Sequence, residues 1–204
     1  MGERHAMTNV TPFGDGAFRV ALPERVEPRI ALESLRKVPG VVDVVVSETH
    51  ACVTFDPRGP IPDLSTALDV AARPMAREPG RLEIVQIRYD GPDLDAVATF
   101  AGLSVEEAIA LHLSRTYEVR AVGFLPGFAY LGDTDPRIAA PRLPNPRPRV
   151  PARSVGIAGD RTGIYPFASP GGWQLVGTAI DFEPFDPDSG ARLRLGDRVR
   201  FVRV

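Results

Sequence analysis

Between positions 121 and 190 the chain carries ten glycines and eleven prolines. Regular helices and long strands do not tolerate that density of breakers, so this part is expected to fold as short extended pieces joined by tight turns. Its two ends read VGFLPGFAYLG (122–132) and TGIYPFASPGGWQLVGT (162–178), with an arginine- and proline-rich bridge, PRLPNPRPRVPARSVGIAGD (141–160), between them. Backbone that bends so often comes close to whatever it encloses, and any chemistry is expected here.

Charge is concentrated in the same place. The 204 residues carry a formal charge of -2, which argues against nucleic acid or an anionic membrane as a partner. Residues 136–161, by contrast, hold six arginines (Arg137, Arg142, Arg147, Arg149, Arg153 and Arg161) against one acid, Asp160. That local excess suits an anionic ligand. The single cysteine, Cys52, allows no disulfide within the chain and fits a reducing cytoplasm. No apolar run approaches the ~20 residues of a spanning helix, and the first ten residues are too polar for a signal peptide.

Ahead of the glycine-rich stretch the pattern changes. FRVAL, near 17–22, reads as a strand. Residues 27–38 read as a helix, with Pro28 in its first turn, Ile30, Ala31, Leu35 and Val38 on one face, and Pro39-Gly40 as its stop. The β-branched run VVDVVVS (41–47) and ACVTF (51–55) form a hairpin. Asp63 starts a second helix through Leu64, Ala67, Leu68, Ala71 and Met75, limited by Pro74, and RLEIVQIRY (81–89) is the next strand. Strand, helix, two strands, helix, strand is the order of a ferredoxin-like unit, although that fourth strand falls at the border with the second half of the chain.

Two short helices come next, 93–101 and 104–114. The second opens on a capping box of Ser104 and Glu107 and lines up Val105, Ala108, Ile109 and His112 on one side. TYEVRAVGF, SVGIAG, WQLVGTA and the alternating RVRFVRV read as strands. The expected class is therefore α+β: a ferredoxin-like N-terminal domain over 1–80 and a β-barrel over 81–204.

In GFLPGF, Gly123 and Gly127 flank Pro126, while Phe124, Phe128 and Tyr130 offer an apolar wall. The loop either turns its amides toward a ligand or is a plain barrel turn with core aromatics. SPGGWQ has the same two readings: Ser169 offers a hydroxyl, Gly171 and Gly172 offer amides, and Gln174 carries a side-chain amide able to orient a carboxylate or lactam, with Trp173 as core. On an extended segment Arg147 and Arg149 share a side, with Arg153 left open. Their planar guanidinium groups suit carboxylate or phosphate, and the alternative is a solvated loop. His112 is either a satisfied core histidine or a proton carrier. No phosphate loop, dinucleotide fingerprint, Cys/His metal cluster or nucleophile elbow occurs.

Taken together, GFLPGFAYLG, PRPRVPARSVGIAG, TGIYPFASPGGWQLVGT and FDPDSGARLRLGDRVRFV closely resemble the family of 5-oxoprolinase B subunits, also called KipI or allophanate hydrolase subunit 1. The resemblance runs from about position 10 to the last residue. It implies that the barrel is cyclophilin-like and that the chain works with a separate C subunit, of the KipA or allophanate hydrolase subunit 2 type, and with an A subunit. The implied task is ATP-dependent opening of 5-oxo-L-proline to L-glutamate, with magnesium as the nucleotide's counterion and no turnover by this chain alone. On that reading His112, Arg149 and Gln174 are the catalytic candidates. Phe124, Pro126, Gly127, Phe128, Arg147, Arg153, Tyr165, Ser169, Gly171 and Gly172 are the candidates for holding substrate or anion. Two other roles go with the same resemblance: inhibition of a sensor histidine kinase through the barrel surface, and one half of a carboxyltransferase of the urea carboxylase type. The segment RYDGPDL is shorter here than the cysteine- and glycine-containing loop that family members often carry.

Overall fold

The computed structural model describes residues 10–22, 26–72 and 79–204. The chain divides into two compact units, Met1–Glu78 and Pro79–Val204.

In the first unit, β1 (Val10–Pro12), β2 (Ala17–Ala21), β3 (Val41–Val46) and β4 (His50–Phe55) form an antiparallel sheet in the order β1-β2-β4-β3. Two helices, α1 (Pro28–Leu35) and α2 (Ser65–Ala71), pack on each other, and α1 also lies against β3 and β4. Alternation decides which side chains enter the core: Val44 and Val46 are buried where Val45 is exposed, and Val20, Val53, Ala31, Leu35 and Leu68 are buried in the same unit. The first helix ends earlier than position 38, because Lys37 and Val38 bond back to Ser34 and Leu35 in a tighter turn and Gly40 takes φ +86°. Asp63 accepts from the Ser65 N–H at 2.9 Å, while the expected Met75 and Pro74 at the end of this helix lie outside the described residues.

The strand RLEIVQIRY does not join this sheet. The free edge of β2 is taken by β1, three exposed residues that no periodicity announces.

The second unit contains β5 (Leu82–Arg88), α3 (Leu94–Ala101), α4 (Val105–Leu113), β6 (Thr116–Val122), β7 (Ala129–Gly132), a 3-10 turn Pro136–Ile138, β8 (Arg147–Val150), β9 (Ser154–Ala158) and β10 (Arg161–Ile164). It continues with β11 (Ser169–Gly171), β12 (Gln174–Ile180), β13 (Phe185–Asp186), β14 (Gly190–Ala191) and β15 (Arg198–Arg203). Seven strands close a barrel in the order β10-β7-β6-β15-β5-β12-β9. Only full closure removes the unpaired edges that short strands would otherwise leave.

The barrel is closed by its own two ends, β5 and β15, which run parallel with Arg198 opposite Leu82 and Phe201 opposite Val85. Val85, Ile87, Val199 and Phe201 point inward and are buried, whereas Leu82, Ile84 and Val202 face outward. The capping box of α4 is complete: the Ser104 hydroxyl accepts from the Glu107 N–H and the Glu107 carboxylate accepts from the Ser104 N–H at 2.8 Å. Two antiparallel ribbons, β8 with β11 and β13 with β14, stand outside the closed barrel. No single helix among the described residues is long and apolar enough to cross a membrane.

Candidate functional site

The ribbon of β8 and β11 brings the arginine bridge against SPGGWQ, with Ser169 opposite Val150 and Gly171 opposite Arg147. The arginines then part company. Arg147 is drawn inward: its Nη2 donates to Asp93 Oδ1 at 2.5 Å and its Nη1 to the Trp173 carbonyl at 3.3 Å. The other Asp93 oxygen accepts from the Leu175 N–H at 2.6 Å. A buried carboxylate therefore ties β8 to both ends of the Trp173-Gln174 step, and the guanidinium expected to meet a ligand is spent on the fold. Arg149 lies on the same strand and is exposed, with no ion pair or hydrogen bond of its side chain among the described residues. Arg153, at φ +64°, leans to 3.6 Å from Glu183.

Of the expected aromatic wall, Phe128 is core and Tyr130 packs half-buried against its cluster. Phe128, Tyr165 and Trp173 are buried with Val150 and Leu175 in a cluster of their own, packed edge to face with Phe128 5.4 Å from Tyr165 and 5.3 Å from Trp173. Phe124 alone of the expected wall is largely exposed, at 58%, and its ring stands perpendicular to Phe128 at 5.5 Å. Pro126 and Gly127 form the middle of a turn closed by the Phe128 N–H to Leu125 carbonyl bond, with Gly127 at φ +80°. At Gly127 and Gly171 the lack of a side chain has a packing cause. A Cβ would sit 2.6 Å from Phe185 Cβ at the first and would overlap the Tyr165 hydroxyl at the second. Gly172 has room, and its carbonyl accepts from the Leu143 N–H at 2.7 Å.

What SPGGWQ leaves unspent is polar. The Ser169 hydroxyl and Gln174 Oε1 are buried without a hydrogen-bond partner among the described residues, whereas Gln174 Nε2 donates to the Pro141 carbonyl at 2.9 Å. Buried polar atoms in native folds are nearly always satisfied, so these two orphans, like Thr134 Oγ1, call for a partner that the described residues do not supply, whether water or a ligand. Arg142 adds a second cation, its guanidinium 5.9 Å from the Trp173 ring.

His112 is elsewhere. Its ring is 1% exposed inside the barrel and stacks on Phe201 at 4.8 Å. Thr162 Oγ1 donates to the Gly156 carbonyl at 2.9 Å, so it must accept from His112 Nε2 at 3.1 Å. Nδ1 in turn accepts from the Tyr89 hydroxyl at 2.7 Å. Both nitrogens are engaged, and burial pushes the imidazole down to about 3, so it is neutral and structural at neutral pH. The helix face that lined it up with apolar residues was its packing face.

Asp93 and Arg142 were not among the expected site residues. Asp93 stands where a helix cap is expected, just ahead of α3, yet makes no side-chain cap bond; no spacing in the chain reveals a partner 54 positions away.

The family model described as carboxyltransferase domain, subdomain C and D, matches residues 8–193. The chain belongs to this family. Among its relatives, the carboxyltransferase C/D chain is 51% identical over 115 residues to the B subunit of 5-oxoprolinase from Bacillus subtilis (strain 168), covering 56% of this chain and 48% of that protein. Proteins of the same name from Escherichia coli O157:H7 and Haemophilus influenzae match at 51% and 45%, each over 55% of this chain and over 52% and 53% of their own length. The chain thus spans about half the length of the curated relatives it matches.

Among solved structures, TTHA0988 superposes with a TM-score of 0.79 at 39% identity, over 92% of this chain and 40% of that one. Urea amidolyase of K. lactis superposes with a TM-score of 0.69 over 96% of this chain and 15% of that one, at 19% identity, a likeness of fold alone.

Proposed function

We propose that this carboxyltransferase C/D chain serves as the B subunit of a 5-oxoprolinase, which with the C and A subunits opens 5-oxo-L-proline to L-glutamate at the expense of ATP in the cytoplasm. The observation that carries the reading is the shared name of three relatives at 45–51% identity over 114 or 115 residues. In fold terms we read the barrel as cyclophilin-like and the first unit as ferredoxin-like, with β1 in the place of the fourth strand. The carboxyltransferase reading has the family model's description and a likeness of fold to urea amidolyase behind it, and these do not outweigh three relatives that share the 5-oxoprolinase name.

An unstrained lactam opens only when its carbonyl is activated: ATP phosphorylates the amide oxygen, water adds to the carbonyl carbon, the protonated ring nitrogen departs to leave an acyl phosphate, and a second water releases phosphate and L-glutamate. The residues around SPGGWQ fit an anion: Arg149 holds a guanidinium without a partner among the described residues, and the Ser169 hydroxyl lacks an acceptor. Arg149 and, from the same bridge, Arg142 over the Trp173 ring supply the positive charge for a phosphate or carboxylate oxygen as charge develops. Gln174 Oε1 accepts the lactam N–H and orients the ring, while Nε2 stays anchored on Pro141. Arg147 and Asp93 keep the Trp173-Gln174 backbone in place rather than touch ligand.

The test is reconstitution. 5-Oxoproline-dependent ATP hydrolysis is measured for this chain alone, with its cognate C subunit, and with the A and C subunits together. We expect turnover only in the full mixture; a full mixture without turnover would overturn the reading.

A further inference from the structure

A cavity of about 650 Å³ opens beside the β13–β14 ribbon, remote in chemistry from the SPGGWQ site. It is lined by three cations, Arg81, Arg192 and Arg194, and three anions, Glu183, Asp186 and Asp197, together with Ser189, Gly190 and Ala191. Six opposite charges cancel, so the cavity has no net pull on a simple anion or cation. What matters is which charges are already satisfied.

Arg192 donates through Nε to Glu83 at 2.9 Å and through Nη2 to the same carboxylate, and its guanidinium lies over Phe182 at 5.2 Å. Arg81 donates to the Arg192 carbonyl at 2.7 Å and sits 3.5 Å from Glu83. Asp197 spends one oxygen on the Arg81 N–H at 3.0 Å and the other on the Arg194 N–H at 2.9 Å. Glu183 faces Arg153 at 3.6 Å. Three groups keep unused capacity, and Glu183 is one of them: its contact with Arg153 is longer than a hydrogen bond and most of its side chain is exposed. The Arg194 guanidinium has no partner among the described residues. Asp186 receives Asp188 N–H, Ser189 N–H and the Ser189 hydroxyl all on Oδ1, at 3.0, 2.8 and 2.9 Å, which leaves Oδ2 open.

Arg194 and Asp186 sit on rigid turns. Arg194 begins a turn closed by the Asp197 N–H on its carbonyl, with Gly196 at φ +85°. Asp186 begins the three-residue loop of the β13–β14 hairpin, with Gly190 at φ +82°. Those donors hold the Asp186 carboxyl below the usual carboxylate range, the Ser189 N–H foremost. Among the described residues, the cavity therefore presents one unpartnered cation, Arg194, and open carboxylate oxygens on Asp186 and Glu183.

We propose that this cavity binds a free α-amino acid, its carboxylate on Arg194 and its ammonium on Asp186. A dipolar ligand is the class that uses the unpartnered cation together with an open carboxylate, and the volume leaves space for a side chain. This site is separate from the 5-oxoproline reading, although L-glutamate, the product in that reading, belongs to the class.

Binding to the purified chain is measured by titration calorimetry with L-glutamate, glycine, acetate and methylammonium, so no turnover is needed and the two proposals fail separately. We expect both amino acids to bind saturably below about 10 mM and each one-charge fragment to bind at least about tenfold more weakly. Arg194→Ala and Asp186→Asn should each weaken the amino acids by about tenfold or more, with circular dichroism and melting temperature unchanged. Absence of saturable heat, acetate binding as tightly as glutamate, or unchanged affinity in a folded Arg194→Ala variant would each overturn the proposal.

Discussion

Two residues show how one side chain's surroundings decide its task. Arg149 and Arg147 share a strand face, yet Arg147 is tied to Asp93 and Trp173 while Arg149 is exposed and unpaired among the described residues. In the assembled complex, Arg149→Ala is expected to lower kcat/KM by at least about tenfold without moving the melting temperature, and Arg149→Lys to recover only part, because an ammonium lacks the planar fork. Wild-type activity in Arg149→Ala would remove it from the site. His112 is the opposite case. Its folded pKa lies below its unfolded value, near 3 against 6.5, so the unfolded state binds the proton more strongly. The stability it permits is complete above about pH 6.5 and falls by about 1.4 kcal/mol per unit as pH drops toward 3. Urea unfolding of wild type and His112→Gln should therefore converge by about 2 kcal/mol between about pH 7 and pH 5; parallel curves would show that this histidine is not held neutral.

At the scale of elements, the decisive connection is the one between α3 and the β8–β12 region. Asp93 at the head of α3 receives Arg147 from β8 and the Leu175 N–H from β12. Asp93→Ala leaves a half-buried guanidinium with only the Trp173 carbonyl and a buried N–H without its carboxylate, at an expected cost of about 3 to 5 kcal/mol. Asp93→Leu combined with Arg147→Met removes both charges and should be less destabilised than either single change, as read by urea midpoints. A double variant as unstable as the sum of the singles would mean the pair does not act as a unit. The capping box of α4, the alternation of β15 and the turn at Pro126-Gly127 were legible because each depends on neighbours within four residues. The role of Asp93 was not, since its partners are brought by topology.

For the whole molecule, the two buried clusters of the second unit draw only on residues between Val85 and Phe201. A barrel that owns its core and closes its own edges is expected to fold without the first unit. The fragment 79–204 should unfold cooperatively on heating with β-rich circular dichroism, and a broad, non-cooperative loss would refute that independence. Placing RLEIVQIRY belongs to this scale as well: its alternating pattern suits any sheet with one buried face, and only closure against β15 and β12 assigns it to the barrel.

The amino-acid sequence by itself determined the short-range features: where chains turn, which face of each strand and helix is apolar, where α4 begins, and the family to which these motifs belong. Tertiary structure alone decided which arginine remains free, that His112 is locked inside the barrel, that Phe128 is core rather than wall, and that a cavity beside the β13–β14 ribbon keeps charges of both signs unspent. The physical reason is range. Backbone propensity and periodicity act over a few residues, whereas the fate of a charge or a ring depends on what the fold sets beside it, and for Arg147 that neighbour lies 54 residues away.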